Sequence, residues 1–391
     1  MNLAHLEWPF FSDEHRALAV SLDAWATQNL KGAKEPSGRE AVDAACRELV
    51  RRLGAAGWLR LCVGDDDVRL DSRSICLVRE VLASHGALAD FAFAMQGLGS
   101  AVVSLAGTSR QRERYLPRVA DGSAIAAFAL SEPGAGSDAG ALECSAAPSA
   151  DGYELNGEKT WISNGGIASF YVVFARLPDS RGSAGVCAFI VDADTPGLEI
   201  AERLDVISPH PLARLRFTNC RVLEEQRVGV EGEGFKLAMR ALDIFRTSVG
   251  AAAVGFARRA LALSMERAAT RTMFGINLGA LQLTQARLAD IATDVDAAAL
   301  LVYRAAWLRD QGSASTKREA AMAKLAATEA AQRAADGAVQ LWGGAGVQAG
   351  ASAERLYRDV RALRIYEGAS EVQRLIIGSD LLRTMNTKEA I

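Results

Sequence analysis

Residues 151–157 read Asp-Gly-Tyr-Glu-Leu-Asn-Gly, and the two turn dipeptides in this stretch decide the architecture. Asp-Gly and Asn-Gly supply the positive φ that tight hairpins require, so they mark the ends of short strands. Downstream lie compact apolar runs at Phe170–Phe174 and Val186–Val191, and then Leu215 and Phe217 alternating with Arg214 and Arg216. No helical pattern of ten to fifteen residues separates these runs. That argues against parallel βαβ units and predicts an antiparallel sandwich or barrel over residues 123–232.

Outward from this segment the period changes. Between residues 12 and 122, Ser12 followed by Asp13 and Glu14 is a helix start, and Leu18, Leu22 and Trp25 recur at helical spacing. Further helices are predicted at 38–54, 72–84, 88–106 and 109–120, with a break at Gly64-Asp65-Asp66-Asp67. Beyond residue 233 helices are predicted at 233–269, 280–311, 316–341, 351–362 and 370–384. Leu281, Leu288, Val295 and Val302 fall seven apart, with Ile291, Ala298 and Ala305 on the intervening step, as bundle packing requires. The reading is an α+β chain: an all-α segment over 1–122, a β segment over 123–232 and a helical bundle over 233–391.

Composition sets the limits. The 391 residues are 50% hydrophobic and 23% charged with a net charge of −3, enough apolar content for two or three cores and no field that would draw nucleic acid or anionic lipid. The six cysteines form no CxxC pair and the four histidines no HExxH or His-x-His spacing, so neither a metal site nor a redox dithiol is expected, and a reducing cytoplasmic setting is. The first residues, MNLAHLEWPFFSDEHR, lack a basic segment followed by an apolar run, so no signal peptide is expected. Residues 91–109 carry no charge for nineteen positions, near the length of a membrane span. Gln96, Ser100, Ser104 and three glycines make a buried core helix the better reading.

Three motifs could carry chemistry. Residues 343–350 contain a GxGxxA pattern, but it follows an alanine-rich helix instead of a strand and so lacks the context of a dinucleotide fold. SEPGAGSD at 131–138 is a loop whose backbone N–H groups could cradle a phosphate or cofactor. In IYEGASE at 365–371, Glu367 is either an acid at a helix start or a carboxylate whose proton affinity burial raises toward that of a general base.

SEPGAGSD at 131–138, WISNGG at 161–166, RTMFG at 271–275 and QLWGGAGVQAGASAERLYRDVRALRIYEGASEVQRLIIG at 340–378 together resemble the acyl-CoA dehydrogenase family over nearly the whole chain. The resemblance implies an N-terminal helical domain, a middle β domain and a C-terminal four-helix bundle in a homotetramer or dimer. It also implies one FAD per subunit, an acyl-CoA substrate and an electron-transfer flavoprotein as acceptor. The implied reaction is α,β-dehydrogenation of the thioester, with Glu367 as base and its backbone N–H on the thioester carbonyl. Phe128, Leu130, Ser131, Trp161, Ser163 and Ala369 correspond to residues around the flavin ring. Arg271, Phe274, Gln282, Gln340 and Gly344 match those that hold the adenylate portion across a subunit interface. Ser137, Asp243, Arg246, Ser100, Tyr366 and Gly368 are implied on the substrate side.

Three positions depart from the family pattern. Ala369 stands where Thr is common, which would lose a flavin contact or shift it to Ser370. Met273 replaces a Thr, and the bulky Phe245 occupies a position that is polar in some relatives. Arg355, Arg358, Arg361 and Arg364 form a basic stripe best read as a solvated face or structural ion pairs. A carrier-protein thioester as substrate, or a non-catalytic flavin-bearing regulatory role, are the alternatives.

Overall fold

The computed structural model describes residues 3–30, 32, 35–64, 70–313 and 315–388. The break expected at Gly64–Asp67 therefore lies, beyond Gly64, outside the described residues. In chain order the helices are α1 (Asp13–Leu30), α2 (Arg39–Ala55), α3 (Ser72–His85), α4 (Ala87–Ala106) and α5 (Ser109–Ala120). Eight strands follow: β1 (Ala126–Ala129), β2 (Ser145–Ser149), β3 (Gly152–Ser163), β4 (Phe170–Arg176), β5 (Val186–Asp192), β6 (Leu198–Arg203), β7 (Leu212–Leu223) and β8 (Arg227–Val228). Helix α6 (Gly234–Thr270) leads into a hairpin of β9 (Thr272–Met273) and β10 (Ile276–Asn277). Then come α7 (Gln282–Asp310), α8 (Lys317–Trp342), α9 (Ser352–Arg361) and α10 (Ser370–Lys388).

Two compact units interleave along the chain. The first comprises the stretch up to Glu35, Asp71–Asp90 and everything from Arg246 onward; the second comprises Pro36–Leu70 and Phe91–Phe245. The N-terminal helices are thus shared out: α1 and α3 belong with the bundle, α2 and α5 with the sheet.

In the second unit the strands run in the order β6-β7-β3-β2-β4-β5-β8, with β1 also paired to β4. The expected antiparallel pairing holds for β2·β3, β3·β7, β4·β5, β5·β8 and β6·β7. Strand β1, however, runs parallel to β4, and β2 touches β4 through one parallel bridge. The buried Gln96 of α4 sets this edge: its Nε2 donates to the Ala124 carbonyl at 2.8 Å and its Oε1 accepts from the Ala126 N–H at 2.9 Å. A polar residue that weakened the membrane reading is the one that docks α4 on the sheet. Helix α4 is long and apolar enough to cross a membrane, but 72% of its most apolar window is buried inside the protein.

The core of the first unit is built from α1, α3, α6, α7, α8 and α9 around Val249, Val254, Val295, Val302 and the alanines of α8. Small residues let backbones meet. A Cβ on Gly255 would lie 2.1 Å from the Glu80 carbonyl oxygen of α3, so no side chain fits there without parting the helices. Gly255→Ala is expected to cost about 1–3 kcal/mol, read as a lower midpoint in urea unfolding; an unchanged midpoint would contradict this packing. The predicted seam is buried at Val295, Val302, Ile291, Ala298 and Ala305, whereas Leu281 and Leu288 are half-buried. The six cysteines are buried free thiols.

Candidate active site

The segment between α9 and α10 carries Glu367 in a left-handed conformation, φ 50°, followed by Gly368 at φ 94°. A glutamate held there stores backbone strain, which persists only when neighbours fix the loop. Four do. Lys324 of α8 donates its Nζ to the Gly368 carbonyl at 2.7 Å, and Gln373 of α10 donates Nε2 to the same oxygen at 2.8 Å. Glu329, five residues further along α8, accepts from Arg364 Nε at 2.9 Å and from Ser370 Oγ at 2.7 Å. Arg246 Nε approaches the Glu367 carbonyl at 3.5 Å.

The side chain is arranged differently from its backbone. Glu367 Oε2 is buried and takes no hydrogen bond. Desolvation raises its pKa above the ordinary carboxyl value, against the pull of Arg79, Arg246 and Lys324 and with a smaller push from Asp90. A carboxylate stripped of donors but facing cations can ionise and still accept a proton readily, as a general base must. Arg79 is itself held by Asp90 through two bonds of 2.8 and 2.9 Å and reaches Ser248 Oγ at 3.1 Å. Beside it the Tyr366 phenol is pushed up by burial. Among the described residues the backbone N–H of Glu367 donates to no protein acceptor.

In the second unit the SEPGAGSD loop is tied down from inside. Glu132 and Ala135 bond reciprocally through their backbones. The buried Glu132 carboxylate accepts from the N–H groups of Glu143 (2.6 Å) and Cys144 (3.0 Å) and from Lys159 Nζ at 2.6 Å. Lys159, fully buried on β3, also donates to the Leu130 carbonyl at 3.0 Å. Thr160 N–H on Ser131 O, 2.9 Å, joins this loop to β3. The register of β3 against β7 then slips between Lys159 and Ile162. In that irregularity Trp161 takes φ 59° and stands 61% exposed. A bulge re-aims a side chain off the sheet, so the Trp161 indole emerges close to the Ser131 loop at the C-terminal end of β1, whereas Ser163 lies toward the other end of β1, where Asn164 meets Ala126. Phe128 is the one half-exposed residue of β1 and packs on Phe174 with ring centres 4.9 Å apart. Asn164, at φ 62°, buries its amide on the Ala126 carbonyl at 2.9 Å.

The remaining predicted residues fall as follows. Arg271, Phe274, Gln282, Gln340 and Gly344 are all exposed in the first unit, Phe274 by 87% at the tip of the β9/β10 hairpin. Met273 sits in that hairpin opposite Ile276. Ser137 is exposed and Asp243 half-buried. Arg246 is buried, which removes the solvated surface pair as its setting. Ser100 is buried and gives its hydroxyl proton to the Gln96 carbonyl of its own helix at 2.8 Å. Phe245 turns toward α4, where a Cβ on Gly97 would lie 2.5 Å from its ring. Ala369 is half-buried, and Ser370 cannot donate in place of a missing Thr because its proton is on Glu329. Of the arginine stripe, Arg358 pairs with Glu35 and Glu354, Arg355 lies 3.8 Å from Glu35, and Arg364 binds Glu329. The glycine pattern at 343–350 opens with a short 3₁₀ turn directly after α8. Among the described residues no group of three His, Cys, Asp or Glu is placed to hold a metal ion.

Three family models match in succession: the acyl-CoA dehydrogenase N-terminal domain at residues 12–123, the middle domain at 127–220 and the C-terminal domain at 232–382. The chain belongs to the acyl-CoA dehydrogenase family. Acyl-CoA dehydrogenases are oxidoreductases and flavoproteins, and the non-catalytic reading is set aside. The mitochondrial short-chain specific acyl-CoA dehydrogenase of Rattus norvegicus is 44% identical over 280 residues, 71% of this chain and 68% of its own. The solved butyryl-CoA dehydrogenase of Megasphaera elsdenii superposes with a TM-score of 0.85 at 33% identity, covering 95% of this chain and 99% of its own. A solved FAD complex of PigA gives 0.86 at 27% identity, covering 95% and 98%.

Among acyl-CoA dehydrogenase residues that sequence reasoning passed over, Lys324, Gln373, Glu132, Lys159, Arg79 and Asp90 are all buried and all bound to backbone or to each other. Lys324 was the most legible of them, a lysine inside the alanine run AAMAKLAATEAA.

Proposed function

We propose that this acyl-CoA dehydrogenase desaturates a short-chain acyl-CoA between its α and β carbons, with Glu367 as the base. The observation that carries the reading is the buried, unbonded Glu367 Oε2 on a loop pinned from three helices. Oε2 takes the α-proton. The free N–H of Glu367 would polarise the thioester carbonyl, spreading the charge that develops there as the α-C–H bond breaks. Cations around the carboxylate offset part of the desolvation that favours its protonated form. The names of the similar proteins support a short acyl chain.

The residues fit FAD. An exposed indole on a bulge next to the Ser131 loop, with Ser163 two residues further along β3, suits a flat, hydrogen-bonding ring, and the exposed Arg271 suits a pyrophosphate. FAD, when bound, supplies the acceptor for the β-hydride. We further propose that the exposed Phe274 and Leu283, each 87% accessible, lie in a subunit interface of a homotetramer or dimer. An electron-transfer flavoprotein in the cytoplasm would then reoxidise the enzyme.

The test is an anaerobic panel of acyl-CoA thioesters from butyryl to palmitoyl, each with its carrier-protein counterpart, mixed with the FAD-loaded protein. Butyryl-CoA is expected to bleach the flavin fastest. Failure of every CoA thioester, with bleaching by a carrier-protein thioester, would move the substrate to the alternative.

A further inference from the structure

Lys324 is fully buried on α8, and among the described residues no carboxylate lies within salt-bridge distance of its Nζ. Its hydrogen-bond acceptor is a backbone oxygen, the Gly368 carbonyl, one residue past Glu367. That carbonyl already accepts from Gln373. A neutral amide thus does the same hydrogen-bonding job a few ångströms away, while burying an ammonium costs several kcal/mol that a single carbonyl does not repay. The charge, not the hydrogen bond, is what requires a reason.

We propose that Lys324 is a positioning residue for catalysis: bound to the Gly368 carbonyl, it fixes the strained loop that carries Glu367 and supplies positive charge that favours the ionised form of the Glu367 carboxylate. The inference rests on Glu367 being the base. The charged groups facing the carboxylate are Arg79 on α3, Asp90 on α4, Arg246 on α6 and Lys324 on α8, beside the Tyr366 phenol. Around Lys324 itself stand Glu367, Arg246, Glu329 and Glu371. The cations that favour the ionised form of Glu367 are Arg79 first, then Arg246 and Lys324, and Arg79 is also bound by both oxygens of Asp90. The coupling runs both ways. Burial lowers the Lys324 pKa to about 8, while Glu367 is the first of the groups that oppose this.

The test compares FAD-loaded wild type, Lys324→Met, Lys324→Arg and Glu367→Gln. The protonated carboxyl stretch of Glu367, identified in infrared difference spectra by its loss in Glu367→Gln, is titrated without substrate. The pH profile of butyryl-CoA bleaching is measured beside it. Removing the positive charge lets Glu367 keep its proton to higher pH, so Lys324→Met is expected to raise both midpoints by about one pH unit. Lys324→Arg keeps the charge but not the fit: its midpoints stay at the wild-type values while its plateau rate falls about tenfold. A wild-type infrared midpoint in Lys324→Met, or a raised one in Lys324→Arg, overturns the proposal. Should the Met variant not fold, Lys324→Gln removes the charge, keeps a donor for Gly368 and is read the same way. Bleaching by Glu367→Gln at the wild-type rate would instead remove the base assignment, and the infrared midpoints would still decide the role of Lys324.

Discussion

Glu367→Gln is expected to leave a yellow, folded protein that butyryl-CoA no longer bleaches, with the bleaching rate down by about 10²–10⁴-fold. The substitution keeps the shape of the side chain and removes the proton acceptor. The contacts that fix the loop, from Lys324, Gln373 and Arg246, all end on backbone carbonyls, so the geometry should survive. The same residue sets the acid limb of the wild-type profile. Because burial raises the Glu367 pKa, activity should fall with decreasing pH at a midpoint above the ordinary carboxyl range. Stability follows with the opposite sense. A carboxyl whose folded pKa lies above its unfolded value contributes stability below the unfolded pKa and loses it as pH rises through the folded one. Glu367→Gln, which cannot ionise, should therefore melt at or above the wild-type temperature at pH 8, with the difference closing toward pH 4. A variant that melts well below wild type at pH 8 would mean that the carboxylate is bound more favourably than its unbonded Oε2 suggests. Full-rate bleaching would remove Glu367 from the chemistry.

How far the sequence led depends on which physical signal each element carries. Helix and strand placement were legible because burial imposes a period. Helices α4, α6 and α8 begin and end within two residues of expectation, and the Asp151-Gly152 turn joins β2 to β3 as expected, whereas Asn156-Gly157, expected to end a strand, lies inside β3 as an irregularity where the pairing with β7 slips between Leu155 and Gly157. The parallel course of β1 along β4 was not legible, since a four-residue strand entered from α5 has no turn dipeptide to announce its partner. The division into two interleaved units was hidden for a similar reason. The alternation of α1 and α3 with α2 and α5 between units is a matter of tertiary contact, which the spaced apolar residues of α1, α2 and α5 do not specify. At the site, Glu367 was visible from its motif, but the groups that hold it were not. Lys324, Arg79 and Gln373 occupy positions that a hydrophobic pattern reads as core, and a buried polar residue betrays itself in sequence only as an interruption. Phe245 shows the converse. It is a bulky residue where some relatives are polar, and its ring fills the space that the missing side chain of Gly97 leaves on α4.

Lys159→Met is expected to destabilise the protein by about 3–5 kcal/mol, because it leaves the Glu132 carboxylate buried without its cation. Glu132 would keep the N–H groups of Glu143 and Cys144, so the loop should not lose all order, but the Leu130 carbonyl would lose its Lys159 donor as well. The loss falls on the segment that bears Ser131 and leads to Trp161, so weaker FAD retention on a desalting column should accompany the lower unfolding midpoint. A local readout separates this loosening from global instability. Cys144, one of the residues whose N–H grips Glu132, has a thiol pushed up to about 11 by burial and should be inert to a disulfide reagent in the folded wild type. In Lys159→Met its labelling rate should rise under native conditions, while Cys76, buried in the first unit, should keep the wild-type rate. If Cys76 and Cys144 gained reactivity together, the effect would be global unfolding. If neither did and the unfolding midpoint were unchanged, the Glu132–Lys159 pair would not be what holds the loop, and the backbone bonds between Glu132 and Ala135 would have to suffice.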